Sequence, residues 1–144
     1  MDAAMEAKTR ILVVEDNPLN RELVVDVLEA AGYTVLQAED GVGILERVKQ
    51  EQPHLILLDL QLPGVDGFTI ARQLAADPAT QGIPVLATTA YALSGDRKRA
   101  LEAGCTGYLP KPLDTKGLVQ IIPSVLGRYA RAGAAIVGNM EGEK

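Results

Sequence analysis

Residues 55–67 read LILLDLQLPGVDG, and this stretch decides the fold that the sequence predicts. Leu55 to Leu58 form an unbroken apolar run that ends on a carboxylate, Asp59. Short continuous apolar runs of this kind are typical of parallel strands that are buried on both faces. We therefore predict a central buried strand with an acidic residue at its carboxyl end.

The same pattern recurs on both sides of this run. The other short apolar runs lie at residues 11–14, 35–36, 85–87 and 107–109. Segments of helical period follow the strands, and these helices are predicted to begin near Asn17, Asp40, Phe68, Ser94 and Asp114. Strands that alternate with helices in this way predict an α/β fold, with a mainly parallel five-stranded sheet and right-handed connections. Helices should cover both faces of this doubly wound sheet.

Two of the helices carry specific expectations. The first should be capped by Asn17, begin at Pro18 and end at Gly32. Its core-facing stripe is predicted to comprise Leu23, Val24, Val27, Leu28 and Ala31. The fifth helix contains Gly117 and Pro123, which cost ~1 and ~3 kcal/mol relative to alanine in a helix interior. A kink or an early end is therefore predicted in the fifth helix.

Length and composition limit the classes of function. The 144 residues fit one domain, predicted over residues 10–127, with a flexible start at 1–9 and a helical extension or flexible tail at 128–144. A net charge of −5 without a basic cluster argues against direct nucleic-acid binding. Cys105, the only cysteine, is interpreted as a small buried residue without a role. No apolar stretch resembles a membrane span or signal peptide, so a cytoplasmic location is expected.

Polar residues follow the predicted strands at their carboxyl ends. They are Glu15, Asp16, Asp59, Thr89 and Lys111. Because parallel strands end at the same edge of a sheet, these side chains should converge there. Three carboxylates at close range repel one another, and either protonation or a divalent cation relieves the repulsion. An all-oxygen site with few protein ligands suits Mg²⁺, which favours metal binding over a merely protonated cluster.

Taken together, these groups match the needs of a phosphoryl group on Asp59. Its oxygens would require a metal, a hydroxyl donor and an ammonium group, which the edge supplies through its carboxylates, Thr89 and Lys111. Taken singly, an aspartate after a strand is more often a cap, a threonine a strand end and a lysine solvated surface. The combination is what predicts phosphoryl transfer.

At this point the sequence resembles the receiver domains of bacterial two-component response regulators, over about residues 10 to 127. The resemblance rests on four motifs in order: VVEDN at 13–17, LLDLQLPGVDG at 57–67, TA at 89–90 and YLPKP at 108–112. It implies a flavodoxin-like fold with strand order 2-1-3-4-5. The regions around residues 15–20 and 89–96 look most similar to single-domain regulators and to the receivers of hybrid histidine kinases.

The resemblance implies a role for each site residue. Asp59 would be the phosphoacceptor. The metal, Mg²⁺ or Mn²⁺, would be ligated by Asp16, Asp59 and the backbone carbonyl of Gln61, with Glu15 acting through a metal-bound water. Thr89 and Lys111 would bind the phosphoryl oxygens, and Lys111 would precede Pro112 through a cis peptide bond. The switch residues would be Thr89, for which Thr88 is the nearest rival, and Tyr108, which would turn inward on activation.

The implied function is that of a signalling switch and not of a conventional enzyme. The domain would take its phosphoryl group from a histidine kinase or a histidine phosphotransfer protein and would assist both this transfer and its own dephosphorylation. Its output would act on a downstream protein target, and a homodimer would use helix 4, strand 5 and helix 5. A degenerate receiver that acts only as a docking module is the alternative, although the key residues Asp59, Asp16, Thr89 and Lys111 are present.

Three residues depart from the commonest pattern of the family or vary within it. Glu15 replaces an aspartate, which lengthens the side chain by one methylene and should be tolerated if its contact runs through water. Gln61 and Tyr91 lie two residues after Asp59 and Thr89 and would flank the route of an attacking water. The bulky Tyr91 is therefore expected to slow hydrolysis of the phosphoryl group.

Other readings of the same architecture fail at their own motifs. A haloacid-dehalogenase-type phosphatase requires a second aspartate two residues after the first, and position 61 is glutamine. A nucleotide or flavin binder requires a glycine-rich loop after the first strand, where residues 15–19 read EDNPL. The GVG at 41–43 follows the wrong strand, and His54 is interpreted as a surface or capping residue.

Overall fold

The computed structural model describes the backbone of residues 9–89, 94–111 and 113–135, and their side chains except at 94, 96 and 128–135. Tyr91 and Pro112 therefore lie outside the described residues, as do residues 1–8 and 136–144. The elements in chain order are β1 (Arg10–Val14), α1 (Pro18–Ala30), β2 (Thr34–Ala38), α2 (Ile44–Glu51), β3 (Leu55–Asp59), β4 (Gln61–Leu62), β5 (Val65–Asp66), α3 (Gly67–Ala76), β6 (Val85–Thr89), α4 (Ser94–Glu102), β7 (Gly107–Pro110) and α5 (Thr115–Ala135).

Five strands form one parallel sheet in the order β2-β1-β3-β6-β7. With the short strands β4 and β5 set aside, this is the predicted order 2-1-3-4-5, and the α/β fold class is confirmed. The pairing aligns Val14 with Leu58, Asp59 with Thr88, and Thr89 with Pro110. The carboxyl ends of β1, β3, β6 and β7 therefore lie side by side at one edge.

Apolar side chains pack on both faces of the sheet. One face is covered by α1 and α5, which contribute Val24, Leu28, Leu118, Ile122 and Val125 to its core. The other is covered by α2, α3 and α4, which contribute Ile44, Val48, Ile70, Leu74 and Ala100. Because β1, β3 and β6 lie between these two layers, their residues other than Arg10 are buried, as their unbroken apolar runs predicted. Within the described residues, no helix is both long and apolar enough to cross a membrane.

The helix α1 begins as predicted but presents a different stripe to the core. Asn17 caps it, since its side chain accepts the N–H of Asn20 at 3.0 Å, and Pro18 is its first residue. The buried residues are Val24, Val25 and Leu28, whereas Leu23 is 51% exposed, so the prediction that Leu23 faces the core was wrong. Ala31, also assigned to the stripe, is exposed. The helix is rotated so that a narrower stripe meets the sheet.

Two other boundaries differ from the predictions. The helix α2 begins at Ile44 instead of near Asp40, because the Asp40 carboxylate accepts the N–H of Val42 in a turn and Gly43 is left-handed with φ of 69°. The antiparallel pair β4–β5, which folds back directly after the central strand β3, was not predicted from the sequence.

Of the two alternatives predicted for the fifth helix, the early end is wrong, and the kink stays a prediction. The helix α5 continues from Thr115 to Ala135 with Pro123 inside it. Pro123 is exposed, while Ile122 and Val125 on either side are buried against the sheet, so tertiary packing outweighs the local propensity. At the helix start, a Cβ on Gly117 would lie 2.9 Å from a carboxylate oxygen of Asp114. The glycine therefore leaves room for the side chain that caps the first turn.

Candidate functional site

The predicted polar residues converge at the carboxyl edge of the sheet. Glu15 and Asp16 follow β1 directly, Asp59 is the last residue of β3, Thr89 is the last residue of β6 and Lys111 follows β7. Glu15, Asp59 and Thr89 are buried, with 5%, 2% and 0% of their surfaces exposed. Asp16 is exposed and Lys111 is half-buried. The site therefore opens to solvent on the side of Asp16.

Three carboxylates form a compact cluster at this edge. One oxygen atom from each of Glu15, Asp16 and Asp59 lies within 4.8 Å of the other two. Oxygen donors at this spacing are the ligands that a hard divalent cation such as Mg²⁺ prefers. The residues therefore fit a cation that would neutralise their mutual repulsion, as the sequence predicted.

The Lys111 ammonium group joins two of these carboxylates. Its Nζ lies 2.8 Å from Oε1 of Glu15 and 3.1 Å from Oδ2 of Asp59. Burial alone would lower the pKa of Lys111, but the hydrogen bonds to Glu15 and Asp59 outweigh it and raise the pKa. Lys111 is therefore positively charged and placed to bind an anion attached to Asp59. Its backbone N–H is fixed by the Thr89 carbonyl at 2.8 Å.

The Asp59 carboxylate is held at both of its oxygens. Oδ1 accepts the backbone N–H of Gln61 at 2.9 Å, and Oδ2 accepts from Lys111. Burial raises the pKa of Asp59, while the Gln61 N–H and Lys111 oppose that rise and the charge of Glu15 adds to it. A cation bound to the cluster would favour the ionised carboxylate, which is the nucleophilic form.

The antiparallel pair β4–β5 brings Gln61 to the site. Gly67 lies so close to Leu60, the residue after the central strand, that a Cβ would be 2.5 Å from Cα of Leu60, which requires glycine at this position. Gln61 consequently sits over the strand end, and its side-chain amide donates a hydrogen bond to Oγ1 of Thr89. The site thus uses Gln61 through both its backbone and its side chain.

Two supports of Glu15 were missed by the sequence analysis. The backbone N–H of Asn17 donates to Oε2 of Glu15 at 3.1 Å, and Arg21 Nη1 donates to the Glu15 carbonyl at 2.8 Å. Arg21 lies one turn inside α1, and its position just after the cap Asn17 is the sequence signal that could have identified it. These bonds fix the loop between β1 and α1.

Comparison with known proteins agrees with this geometry. The family model of the response regulator receiver domain matches residues 11–123. This chain belongs to that family. As a receiver domain, it is 38% identical over 117 residues to the polar-differentiation response regulator DivK of Brucella anthropi, covering 81% of this chain and 95% of that protein.

Solved receiver structures share the fold of this one. The receiver domain of sensor histidine kinase PA1611 from Pseudomonas aeruginosa, with a magnesium ion coordinated in its active site cleft, has a TM-score of 0.77 and 36% identity, covering 84% of this chain and 99% of that chain. A CheY-like receiver domain protein from Methanospirillum hungatei has a TM-score of 0.80 and 26% identity, covering 87% and 98%. Both span nearly the whole described receiver.

The remaining predicted site residues of this receiver domain lie in or beside the strands β6 and β7. Tyr108 lies in β7, partly buried against the core that faces α2, α3 and α4. Thr88 is buried beside Thr89, and its carbonyl accepts the N–H of Leu60 at 2.9 Å. The hydroxyl that Gln61 contacts is that of Thr89, which favours Thr89 over Thr88 as a site residue. Tyr91 and Pro112 lie outside the described residues.

Proposed function

We propose that this receiver domain accepts a phosphoryl group on Asp59 from a phosphohistidine of a histidine kinase or a histidine phosphotransfer protein. The observation that carries the proposal is the buried Asp59 carboxylate, 3.1 Å from the Lys111 ammonium and within 4.8 Å of two further carboxylates. A receiver over residues 10–127 would be the working unit, with the segments at 1–9 and 128–144 outside it. The function is that of a switch and not of a conventional enzyme.

The transfer needs positioning and charge neutralisation more than covalent help. An oxygen of Asp59 attacks the phosphorus, the P–N bond to the imidazole breaks, and the histidine nitrogen keeps the electron pair. Lys111 and the Thr89 hydroxyl would each bind an oxygen of the transferred group. In hydrolysis, water attacks the same phosphorus, and the products are inorganic phosphate and the free Asp59 carboxylate.

A magnesium ion, or Mn²⁺, would be held by Asp16, Asp59 and the backbone carbonyl of Gln61, with Glu15 acting through a water. The fit rests on the oxygen cluster described above and on the Mg²⁺ in the site of the similar receiver domain from Pseudomonas aeruginosa. When bound, the cation supplies positive charge to the phosphoryl oxygens. The direct Glu15–Lys111 contact of 2.8 Å shows that the longer side chain also reaches the ammonium group.

Phosphorylation would then change the conformation of Thr89 and Tyr108 and control a downstream protein partner. The partly buried position of Tyr108 beside α4 is compatible with a ring that moves further inward. A homodimer through α4, β7 and α5 and a cytoplasmic location both stay predictions from the sequence.

The first test of the proposal is phosphorylation by acetyl phosphate with Mg²⁺, followed by intact mass spectrometry. The wild-type protein should gain one phosphoryl group and Asp59→Asn should gain none, because asparagine has no nucleophilic carboxylate. Asp66→Asn is the matched control. Asp66 is also an aspartate at a strand end, but it caps α3 through the N–H of Phe68, and asparagine caps equally well.

The control variant should be labelled like the wild type, and a metal chelator should suppress labelling in both. A phosphoryl group that persists in Asp59→Asn would overturn the assignment of the acceptor. Absence of labelling in every variant, with partner binding intact, would favour the docking module that the sequence left open.

Tyr91 would set the lifetime of the phosphoryl group, an expectation that rests on the sequence alone. A large ring two residues after Thr89 would narrow the approach of water to the phosphorus. Tyr91→Ala should therefore shorten the half-life of the phosphorylated protein severalfold, measured by loss of label after removal of acetyl phosphate. An unchanged half-life would contradict this expectation.

A further inference from the structure

The side chain of Gln61 connects the proposed phosphoacceptor to the buried threonine of the next strand. Its backbone N–H is bound to Oδ1 of Asp59 at 2.9 Å, while its side-chain amide donates to Oγ1 of Thr89. The two contacts come from one residue and reach two different strands of the sheet. We call the second contact the Gln61–Thr89 bond.

Both residues of the Gln61–Thr89 bond are held through their backbones. Thr89 is fully buried, and its carbonyl accepts the N–H of Lys111 at 2.8 Å. Gln61 is paired with Asp66 in the short antiparallel strands, and the close approach of Gly67 to Leu60 fixes their position. With both backbones held in this way, a movement of Oγ1 toward Asp59 would lengthen its contact with the side-chain amide of Gln61.

Among the described residues, the Thr89 hydroxyl is not one of the hydrogen-bond donors to the Asp59 carboxylate. The hydrogen-bond donors to that carboxylate are Gln61 N–H and Lys111, and neither of its oxygens is bound by Thr89. A phosphoryl group on Asp59 would offer the hydroxyl an anionic oxygen, and hydrogen bonds to ions are about twice as strong as those between neutral groups. The hydroxyl oxygen accepts from the amide, whereas its own O–H would donate to the phosphoryl group. To make that second bond, Oγ1 would move toward Asp59 and away from the amide, a movement that only the phosphorylated protein favours.

We propose that the side-chain amide of Gln61 holds the Thr89 hydroxyl in the unphosphorylated protein, and that a phosphoryl group on Asp59 must displace this amide to engage the hydroxyl. Gln61 is then a positioning residue that opposes activation. The inference rests on the proposed function, because it requires Asp59 to be the acceptor.

The test is the affinity for beryllium fluoride, a phosphoryl analogue, measured by calorimetry in the presence of Mg²⁺. Gln61→Met keeps the length of the side chain but removes the donor, and it should bind the analogue about fivefold more tightly, the factor that corresponds to one typical net hydrogen bond. Gln61→Asn, whose amide is too short to reach Thr89, should change affinity in the same direction. Gln37→Met, at an exposed glutamine of β2, is the control and should bind like the wild type.

A double-mutant cycle with Thr89→Val locates the origin of the effect. If the amide acts through the hydroxyl, Gln61→Met should not tighten binding in the Thr89→Val background. Equal tightening in both backgrounds, or unchanged or weaker binding in Gln61→Met alone, would overturn the proposal. Circular dichroism checks that each variant is folded. Failure of the wild type to bind the analogue would count against the proposed function itself and is a distinct result.

Discussion

The two ends of the same sheet use charged residues in opposite ways. At the amino end, the Arg10 guanidinium donates to the backbone carbonyls of Glu51 and Gln52 at 2.8–3.1 Å, and the Arg10 N–H donates to Nδ1 of His54 at 3.0 Å. At the carboxyl end, charged side chains contact one another, and within the described residues a single ammonium group, that of Lys111, bridges two carboxylates of the cluster.

The charged residues at the amino end of the sheet contribute to stability, whereas those at the carboxyl end form the candidate site. Charges at the amino end satisfy backbone atoms that would otherwise lose hydrogen bonds, so they stabilise the loop before β3. Charges at the carboxyl end are held close together in a partly buried site, where repulsion among Glu15, Asp16 and Asp59 is only partly relieved. We therefore expect the carboxyl end to lower the stability of the metal-free fold and the amino end to raise it.

The largest effect on stability is expected from Asp59→Asn. In the absence of divalent metal, at about pH 7.5, this variant should unfold in urea with a free energy about 1–2 kcal/mol higher than that of the wild type, because one buried carboxylate is removed while Glu15 keeps its bond to Lys111. Added Mg²⁺ should stabilise the wild type more than the variant and reduce this difference.

The pH dependence of this difference has a definite sign. Burial raises the pKa of Asp59 above its ordinary value of 3.8. The folded protein then holds a proton to higher pH than the unfolded chain, so ionisation of Asp59 costs stability as the pH rises through that window. The higher free energy of unfolding of Asp59→Asn relative to the wild type should be absent below pH 3.8 and should grow above it. Asp66→Asn is the control. If the wild type were as stable as Asp59→Asn at neutral pH, this would contradict the comparison between the two ends of the sheet.

Much of the site at the carboxyl end of the sheet could be predicted, because its residues lie at or directly after the ends of strands. Once Leu55 to Leu58 is identified as a buried parallel strand, Asp59 must lie at the shared edge, and the same reasoning places Glu15, Thr89 and Lys111 there. The side-chain contacts of Gln61 could not be predicted this way. They depend on the β4–β5 turn and on the close approach of Gly67, which involve pairing that has no periodic signal in so few residues.

Prediction from the sequence was also limited for the helices, but for a different reason. Periodicity identified α1, but Leu23 and Val25 lie at the two margins of the apolar stripe. Only the tertiary structure decides that Val25 is buried and Leu23 exposed. Propensity predicted a kink or an early end of α5, whereas the helix continues beyond Pro123, with Ile122 and Val125 buried on either side of the proline. Local preference was overruled where tertiary burial was large.

A smaller effect of the opposite sign is expected at the amino end. Arg10→Met removes the guanidinium that binds the carbonyls of Glu51 and Gln52 and should lower the free energy of unfolding by about 1 kcal/mol, since these bonds are partly exposed to water. Labelling of Asp59 by acetyl phosphate should not change. Arg72→Met, at an exposed arginine of α3, is the control and should leave stability within about 0.5 kcal/mol. Loss of labelling in Arg10→Met without loss of stability would break the comparison.

The smallest effect concerns the pH dependence of His54. Burial, with the charge of Arg10 adding to it, lowers the pKa of His54 below its ordinary value of 6.5. The imidazole stabilises the fold while it is neutral and accepts the Arg10 N–H, so this stability is present above pH 6.5 and is lost as the pH falls through the lowered pKa. The sign is opposite to that of Asp59, whose ionisation costs stability as the pH rises.

His54→Asn tests this sign, because asparagine keeps an acceptor near the Nδ1 position but does not titrate. Between about pH 7 and pH 5, the wild type should lose up to about 0.5 kcal/mol relative to the variant, an amount limited by the exposure of the imidazole. Urea unfolding of both proteins across this range measures the difference. An identical slope for the two proteins would mean that the Arg10–His54 hydrogen bond does not couple protonation to folding, and the pH dependence would then belong to the carboxylates of the carboxyl end alone.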